Sequence, residues 1–499
     1  MKNNVNEIRE IISNQKKQFD NNMPETTIIL AAGHGKRIKS HTSKMLHKIW
    51  EKPTVERVYE ASKSGLKKVN SIIVVGIKAE DVITAIGEKP NTLFAYQEVQ
   101  NGTGHAVQVA LENIDDNYNG TIYILPGDMG LIDSRTIANF KTKFIKSKAN
   151  MMVLTGLYEG DPQNNSYGRI VRVKDKDTSG NWSGEERGKV IEIIEHKDIL
   201  SLDNAKPYIT NFKGKEYSFT KEELIMNNEF NSGVYAVNYG KMKELINQLD
   251  SNNVQGEIYI TDLISVFNNN GLTVRAVLPR EQHVLMGFNN KSVLLQMENI
   301  ARDIVYDKLK DIVAFEDPYD FFIHENVVER IIKLDKKGQP LDITIGKGAY
   351  LGQNVKVNYN LTLLKNTCVK GNVEFGENVR ISENVHLSTH DNQTLKIGNN
   401  VEILWGNIIK GNIVIGDNSR IESSINMTGS DEFPLRIGKN VTIKGTSYLF
   451  GSIVEDDVFI EHSILVKKKI EKFEMKNGDT RKIRFYLPMP EGMDSISDL

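Results

Sequence analysis

The sequence predicts an α/β domain with a mostly parallel sheet, followed by a parallel β-helix. From Thr26 to about residue 160, short continuous aliphatic runs alternate with segments of helical periodicity. This alternation is typical of a parallel sheet that helices cover on both faces. After Leu341 the pattern changes to a unit of roughly six residues that recurs to about residue 470. A repeat this short is typical of a β-helix, in which each turn places an aliphatic residue inside.

The composition narrows the class of protein. A chain of 499 residues is long enough for two or three domains. It has 63 Lys and Arg against 65 Asp and Glu, a net charge of −2, so we expect it to bind neither nucleic acid nor a membrane surface. It has a single cysteine, Cys368, and no apolar segment of signal or membrane length. We therefore expect a cytoplasmic protein without an internal disulfide.

The elements of the first domain follow in order along the chain. Residues 1–24 predict an N-terminal helical extension, because their apolar residues have the spacing of one helical face (Val5, Ile8, Ile11, Ile12). The predicted strands are TTIIL and the aliphatic runs at 71–76, 92–97, 121–128 and 151–156. Segments such as PTVERVYEASKSG and GHAVQVALENI predict helices between them. Ligands of such folds bind at the carboxyl ends of the strands, so we expect the site there.

The pattern loosens between about residues 160 and 300. Polar stretches at 174–189 and 198–224 predict inserted hairpins or surface loops, and residues 292–313 return to strong helical periodicity. The predicted organisation is an N-terminal extension (1–24), an α/β domain (25–298), a connecting helix and linker (299–337), a β-helix (338–470) and a tail (471–499).

The repeats of the second domain share one form. An aliphatic residue and then Gly, Asp or Glu begin each unit, and polar and β-branched residues follow, as in ITIGKGAYLGQNVKV and LRIGKNVTI. About a dozen imperfect units predict about seven coils. They resemble the repeats of left-handed hexapeptide-repeat domains. That resemblance implies a left-handed β-helix and a homo-oligomer, commonly a trimer.

A glycine-rich loop, LAAGHGKRIKSHTSKMLHK, follows the first predicted strand. It is not a P-loop, which needs G-x-x-x-x-G-K-[ST], and Ile38 stands where a dinucleotide fingerprint needs a third glycine. What remains is G-x-G-x-R with a lysine seven residues beyond the arginine. In such a loop backbone N–H groups approach phosphates, while Arg37 can grip two oxygens and Lys44 is a movable charge. Taken alone, the loop is equally compatible with a solvated basic turn.

The loop resembles the signature L-A-A-G-x-G-T-R-M-x-S-x-x-P-K-x-L-H of sugar-nucleotide pyrophosphorylases. More narrowly, it resembles the uridylyltransferase half of the bacterial bifunctional GlmU-type family, which acetylates glucosamine-1-phosphate and couples the product to UTP. Later segments follow in the family's order: QEVQNGTGHAVQ, PGDMGLI, YGRIVR, IIEHKD, NEFNSGV, NVQGEIYITD and GFNNK. The resemblance covers about residues 26–320. It implies a Rossmann-like (GT-A-like) nucleotidyltransferase domain that transfers a uridylyl group from UTP to N-acetylglucosamine-1-phosphate and depends on Mg²⁺.

The resemblance also implies roles for particular residues. Arg37 and Lys44 would be the catalytic cations on the phosphates, while Asp128 and Asn289 would bind Mg²⁺ through oxygen. The nucleotide would contact Leu30, Ala32, Gly33, Gln97, Gln100, Gly102 and Thr103. The sugar would contact Gly168, Glu195 and Asn231. Singly, such residues are as well explained by turn caps or exposed charges, and only the ordered set indicates a site.

Two positions depart from the signature. Lys36 replaces its Thr and adds charge beside the phosphates, while Ser43 replaces its Pro and removes a rigid φ ahead of Lys44. Neither change deletes a catalytic group. Because the polar insertions lie between the sugar segments, another sugar-1-phosphate such as glucose-1-phosphate stays open as the substrate.

The β-helix lacks the sequences that the family uses for acetyl transfer. There is no lysine-rich turn with G-H-x-x-Y-x-G-D and no N-I-G-A-G-T-x-x-x-N-Y-D-G. His386, His390 and His462 lack the family's Tyr, Asn and Lys partners, so we expect surface or stacking roles for them. We therefore predict oligomerisation or regulation from this half. A bifunctional enzyme with a divergent acetyltransferase and a non-catalytic sensor or scaffold are the alternatives.

Overall fold

The structure, a computed structural model, describes residues 5–14, 19–33, 35–475, 478 and 481–485. The chain divides into two compact units, Met1–Glu298 and Asn299–Leu499. The division falls within the helix Lys291–Leu309, at the place of the helix predicted over 292–313. No helix within the described ranges has the length and apolar character needed to cross a membrane.

The first unit is built on one nine-stranded sheet. We number its strands β1 (Glu25–Ala31), β2 (Val69–Val75), β3 (Thr92–Tyr96), β4 (Thr121–Pro126), β5 (Met151–Leu157), β6 (Arg169–Arg172), β7 (Val190–Ile194), β8 (Glu229–Asn238) and β9 (Val274–Val277). The order across the sheet is β9-β5-β8-β4-β1-β2-β3, and β6 pairs with both β8 and β7. Strand β8 is antiparallel to β4, β5 and β6, and β6 is antiparallel to β7. The remaining pairs are parallel, as predicted.

Helices cover both faces of this sheet. Their bounds are Val5–Asn14, Thr54–Leu66, Ala79–Ile86, Thr103–Leu111, Ser134–Ser147, His196–Ser201, Lys221–Met226, Tyr239–Leu245 and Leu263–Asn269. Neighbouring residues of β1 lie in different hydrophobic clusters, Ile29 in one and Ile28 in the other, because successive side chains of a strand point to opposite faces. The N-terminal helix buries Ile8 in the cluster of Ile29. The second polar insertion contains a hairpin, Tyr208–Phe212 with Lys215–Phe219.

The second unit is a parallel β-helix. Its first sheet holds Val313–Phe315, Ile343–Ile345, Leu361–Leu363, Val379–Ile381, Glu402–Ile403, Arg420–Ile421, Thr442–Lys444 and Phe459–Glu461. Its second holds Phe321–Ile323, Ala349–Leu351, Cys368–Lys370, His386–Ser388, Ile408–Gly411, Asn426–Gly429, Tyr448–Phe450 and Ile464–Val466. Its third holds Val373–Phe375, Leu395–Ile397, Ile413–Ile415, Leu435–Ile437, Ile453–Val454 and Lys469–Ile470.

Several coils have the period that the sequence predicted. Leu361 pairs with Val379 and Glu402 with Arg420, each 18 residues on, so these coils take three six-residue units. The coil between them is longer, since Arg380 pairs with Glu402, 22 residues on. The residues that point inward differ between strands of a coil. In Leu361–Leu363 the two flanking residues are buried, whereas in Cys368–Lys370 the middle residue, Val369, is buried. The predicted fold class, an α/β domain followed by a β-helix, is therefore confirmed.

The coils begin earlier than the predicted boundary at residue 338. Val313–Phe315 and Phe321–Ile323, which lie in the predicted linker, pair with Ile343–Ile345 and Ala349–Leu351. The helix Glu325–Asp335 separates them from the later coils, and this interruption hides their period in the sequence. The other domain boundaries stay predictions.

A ladder of side-chain amides runs along one corner of the β-helix. Each amide donates to the next oxygen along the ladder at 2.7–3.1 Å, in the order Asn360, Asn378, Asn400, Asn418, Asn440 and Asp457. All six residues have a left-handed backbone, with φ between 52° and 59°. Asparagine tolerates this conformation better than other residues with a side chain, so both backbone and ladder favour it.

Replacing Asn400 separates the two contributions. Asn400→Ala removes the ladder contacts and adds the left-handed penalty of about 1–2 kcal/mol, whereas Asn400→Gly removes only the contacts. We expect the urea midpoint of the β-helix to fall more for alanine than for glycine. The measurement is denaturant unfolding followed by circular dichroism. An alanine variant as stable as the unmodified chain would contradict this account.

Candidate active site

A cleft of about 990 Å³ opens at the carboxyl ends of β1, β3 and β4. It contains most of the site residues that the resemblance implies, namely Leu30, Ala32, Gly33, Arg37, Lys44, Gln97, Gln100, Gly102, Thr103, Glu195, Asn231 and Asn289. The remaining two adjoin it: Asp128 bonds to Lys44, and the carbonyl of Gly168 accepts from the Asn231 N–H at 2.9 Å. The structure thus brings together residues that lie far apart in the sequence.

The glycine-rich loop forms two short turns, Lys36–Ile38 and Lys44–Leu46. Gly35 precedes the first with φ +61°, and a Cβ there would lie 2.7 Å from Cβ of Lys44. Glycine is therefore required both by the backbone and by the close approach of Lys44. Arg37 is exposed to the cleft. His34 and the Lys36 side chain lie outside the described residues, so the added charge of Lys36 stays a prediction.

The backbone at Ser43 suits the proline that the family signature has there. Its φ is −54° and its ψ is 140°, within the range that a pyrrolidine ring fixes. The Ser43 N–H has no hydrogen bond to another described residue. The backbone ahead of Lys44 therefore has a conformation that proline could also adopt.

Ser43→Pro should stabilise the protein. A proline compatible with the native backbone restricts the unfolded chain and adds about 0.4–1 kcal/mol. We expect a higher melting temperature by calorimetry with turnover retained, and no such gain for the matched Ser43→Ala. A lower melting temperature for the proline variant would show that the loop needs serine itself.

Lys44 bridges two residues that come from distant segments. Its Nζ donates to Oδ2 of Asp128 at 2.5 Å and to Oδ1 of Asn289 at 3.0 Å. The side chains of Lys44 and Asp128 are only 12% and 16% exposed, so solvent screens this pair less than a surface ion pair. Phe288 lies beneath, with its ring centre 5.5 Å from Nζ. The pair of oxygens forms a compact site for one cation.

The same oxygens fit Mg²⁺. A carboxylate and an amide oxygen are hard donors, and Mg²⁺ commonly takes one or two such protein ligands with phosphate oxygens and waters. A cationic group, the Lys44 ammonium, already lies against both oxygens. No cluster of three His, Cys, Asp or Glu side chains suited to a metal occurs among the described residues. The donor set therefore suits a cation shared with a phosphorylated ligand.

Two glutamines and a tight turn border the cleft at residues 97–103. The Gln97 side chain is buried and its Nε2 donates to the carbonyl of Gly102 at 3.0 Å, while Nε2 of Gln100 donates to the carbonyl of Gln97 at 3.0 Å. Gly102 has φ +98°, and a Cβ there would lie 2.4 Å from the carbonyl oxygen of Ile258. The Thr103 hydroxyl accepts from the Ile260 N–H at 3.2 Å. These contacts fix the rim of the cleft.

Asn231 presents an amide donor to the same cleft. Oδ1 of Asn231 accepts from the Gly233 N–H and from the Tyr235 hydroxyl, both at 2.9 Å. Because an N–H can only donate, these contacts identify Oδ1 and leave Nδ2 as the amide group available to a ligand. Gly233, with φ +80°, lies in the irregularity of β8 between Asn231 and Val234. A ligand group beside Nδ2 must therefore be a hydrogen-bond acceptor.

Glu195 supplies a titratable group with a raised pKa to the cleft. Burial raises the pKa of its carboxyl to about 7, and the charges of Asp198 and Asp262 add to the effect, which Arg169 partly offsets. Asp262 behaves in the same way: burial, together with Asp250 and Asp198, raises its pKa to about 7. The folded protein thus holds these carboxyl groups protonated at a pH where the unfolded chain would lose the protons.

Glu195→Gln should therefore alter stability in a pH-dependent way. The raised pKa contributes stability below about pH 4.5 that is lost as the pH rises through about 7. Since glutamine cannot ionise, we expect the variant to melt at a higher temperature than the unmodified chain at pH 8 and at nearly the same temperature at pH 5. Calorimetry at the two pH values measures this. The exposed Glu159→Gln is the control and should show no such difference.

Several cleft residues were not singled out in the sequence. Lys197, Tyr235, Glu257 and Thr261 also line the cleft. Glu257 and Thr261 belong to the matched segment NVQGEIYITD, and Lys197 to IIEHKD, so membership of those segments was the available signal. The sequence contains no such signal for Tyr235, because an aromatic residue on an apolar strand is ordinarily part of a core.

These features are those of a nucleotidyltransferase domain, here followed by a parallel β-helix. A family model described as a MobA-like NTP transferase domain matches residues 27–167. The bifunctional protein GlmU of Acetivibrio thermocellus is 35% identical over 302 residues, which are 60% of this chain and 57% of that protein. The bifunctional protein GlmU of Caldanaerobacter subterraneus subsp. tengcongensis is 31% identical over 372 residues, 72% of this chain and 71% of that protein. The chain belongs to the GlmU family.

The match does not extend over the whole of these relatives. The chain spans 57% of the length of the first relative and 71% of the second. Among solved structures, a UDP-glucose pyrophosphorylase complexed with UDP-glucose aligns with 56% of this chain and 100% of its own, at 14% identity and a TM-score of 0.39.

Proposed function

We propose that the first domain transfers a uridylyl group from UTP to N-acetylglucosamine-1-phosphate, giving UDP-N-acetylglucosamine and pyrophosphate. The observation that carries this proposal is the single cleft that joins a phosphate-binding loop to Glu195 and Asn231. The loop offers two cations beside the oxygen pair of Asp128 and Asn289, while Asn231 and Glu195 offer an amide donor and a carboxyl group. Both substrates of such a transfer can therefore lie in one continuous space.

The reaction needs positioning and charge rather than a covalent intermediate. An oxygen of the sugar phosphate attacks the α-phosphorus of UTP in line with the bond to pyrophosphate, which breaks as the new P–O bond forms. The attacking oxygen is already ionised, so no general base is required. Arg37 and Lys44 line the cleft and stabilise negative charge on the phosphates. Asp128 and Asn289 would hold Mg²⁺, which would supply further neutralisation of that charge.

The orientation of Asn231 favours an N-acetylated sugar over its free amine. The carbonyl oxygen of an acetamido group accepts a hydrogen bond from Nδ2, whereas the ammonium of glucosamine-1-phosphate has no acceptor to offer. A 2-hydroxyl does have one, so glucose-1-phosphate remains the second candidate substrate. Glu195, in its ionised form, accepts a hydrogen bond from a sugar hydroxyl, and Gly168 packs against its carboxylate.

We further propose that the β-helix assembles the chain into a homotrimer and does not transfer acetyl groups. His386, His390 and His462 are exposed, which supports surface roles for them. Sedimentation of the full chain tests the assembly. A monomer at micromolar concentration would contradict it.

The deciding experiment measures pyrophosphate release over a grid of nucleoside triphosphates and sugar-1-phosphates with Mg²⁺. We expect the highest rate for UTP with N-acetylglucosamine-1-phosphate, a lower one with glucose-1-phosphate and almost none with glucosamine-1-phosphate. Release from no pair would instead support a non-catalytic sensor or scaffold. A parallel assay measures thiol release from acetyl-CoA with glucosamine-1-phosphate, and positive release would support a divergent acetyltransferase.

A further inference from the structure

The Lys44 ammonium lies where the cation of the site is expected. It contacts one carboxylate oxygen of Asp128 and the amide oxygen of Asn289 at 2.5 and 3.0 Å. Lysine donates N–H groups to oxygens that a metal ion can also take as ligands. An ammonium and a divalent ion repel each other at close range. They cannot both occupy the position between Oδ2 of Asp128 and Oδ1 of Asn289.

We propose that Lys44 is the resident cation of the Asp128–Asn289 pair and that a divalent ion must displace it in order to bind. While it stays, Lys44 holds the two oxygens close together and offsets the charge of a carboxylate that is only 16% exposed. Once displaced, its ammonium is free to contact phosphate oxygens. Only this last step rests on the proposed function.

The surroundings allow such a movement. Gly35 presents no side chain to Lys44: a Cβ at Gly35 would lie 2.7, 3.4 and 3.6 Å from its Cβ, Cγ and Cδ. The stem therefore passes a position that only glycine leaves open. Lys44 and Arg37 line the same cleft, so a displaced ammonium remains in the space where phosphates are expected. The Lys44 ammonium can thus contact either the oxygens of Asp128 and Asn289 or the phosphates expected in the cleft.

The proposal predicts competition that is measurable without substrates. Mn²⁺ binding to the free full-length protein is followed by electron paramagnetic resonance of unbound Mn²⁺. Lys44→Met should bind Mn²⁺ at least about fivefold more tightly than the unmodified chain, the lower end of a coupling between competing ligands. Lys48→Met is the matched control, because it removes the same charge from an exposed residue nearby in sequence. Its affinity should equal that of the unmodified chain.

Two results would overturn the proposal. One is equal Mn²⁺ affinity in the unmodified chain and Lys44→Met, including undetectable binding to both. The other is an equal gain in Lys48→Met, which would indicate a general charge effect. Asp128→Asn together with Lys44→Met should lose the tighter binding, which assigns it to this oxygen pair.

A second measurement uses the unmodified chain and does not depend on the folding of any variant. Acylation of individual lysines by an amine-reactive ester is measured by mass spectrometry with and without Mg²⁺. Mg²⁺ alone should raise the labelling rate of Lys44 relative to that of Lys48, because the ammonium leaves its two partners. An unchanged ratio would count against displacement. Neither measurement requires turnover. Displacement of Lys44 by a divalent ion can therefore be observed even if no pyrophosphate is released, and pyrophosphate release can be observed even if Lys44 is not displaced.

Discussion

Asp128→Ala is expected to lower the rate of pyrophosphate release by at least about 10²-fold, the scale for removing one preorganised charge-stabilising group. The change takes away one of two oxygens that hold a cation at the end of β4, and leaves Lys44 with only the amide of Asn289. Steady-state rates over a range of Mg²⁺ and UTP concentrations measure the loss. Arg37→Ala should lower the rate on the same scale, because Arg37 is the other cation that the glycine-rich loop presents to the cleft.

The control for this change lies in the same segment. Asp133 caps the helix Ser134–Ser147, and its side chain accepts from the Thr136 N–H at 2.7 Å. Asp133→Asn removes the same charge and retains a good cap, so turnover should stay near that of the unmodified chain. Unchanged rates in both Asp128→Ala and Arg37→Ala would mean that the site is misplaced.

The sequence predicts the first domain's sheet well because its strands are buried on both faces. Continuous aliphatic runs such as that of β2, whose seven residues are all buried, are recognisable without knowledge of their partners. The β-helix is recognisable for a similar reason, since each coil repeats the same requirement for one inward aliphatic residue. The strands at 313–323 were not predicted, because the helix Glu325–Asp335 interrupts that repetition.

The arrangement of the site could be predicted only in part. Family segments identify Lys44, Asp128 and Asn289 as parts of one site. No local pattern predicts that the Lys44 ammonium lies between Asp128 and Asn289, because these residues are 84 and 245 positions away in the sequence. The same holds for Asn231, whose orientation depends on a glycine N–H and a buried tyrosine. The raised pKa of Glu195 depends on Asp262, which another segment supplies. Such properties arise from tertiary placement rather than from spacing.

Arg169 shows how a buried charge supports the backbone beside Asn231 and Glu195. It is fully buried at the start of β6, and its guanidinium donates to the backbone carbonyls of Tyr167, Asn165 and Pro162. Burial lowers its pKa. These contacts tie down the loop that leads into Gly168, whose carbonyl accepts from the Asn231 N–H. The guanidinium therefore positions the backbone beside both Asn231 and Glu195 without contacting the cleft itself.

Arg169→Met should consequently reduce both stability and sugar binding. The change leaves the carbonyl oxygens of Tyr167 and Asn165 without the guanidinium donor, at about 1–3 kcal/mol for each that stays buried, while the carbonyl of Pro162 keeps the Asn165 N–H. We therefore expect a loss of a few kcal/mol in the free energy of unfolding. We also expect KM for the sugar-1-phosphate to rise more than kcat falls. The change displaces the loop that leads into Gly168 but leaves the glycine-rich loop, with Arg37 and Lys44, in place. Arg172→Met is the matched control on the same strand. Arg172 forms a two-point pair with Glu229 at 2.6 Å, but its side chain is 35% exposed, so its loss should cost less than that of the fully buried Arg169. If Arg169→Met reduces stability while leaving KM unchanged, the guanidinium supports the fold alone and has no part in positioning Asn231 and Glu195.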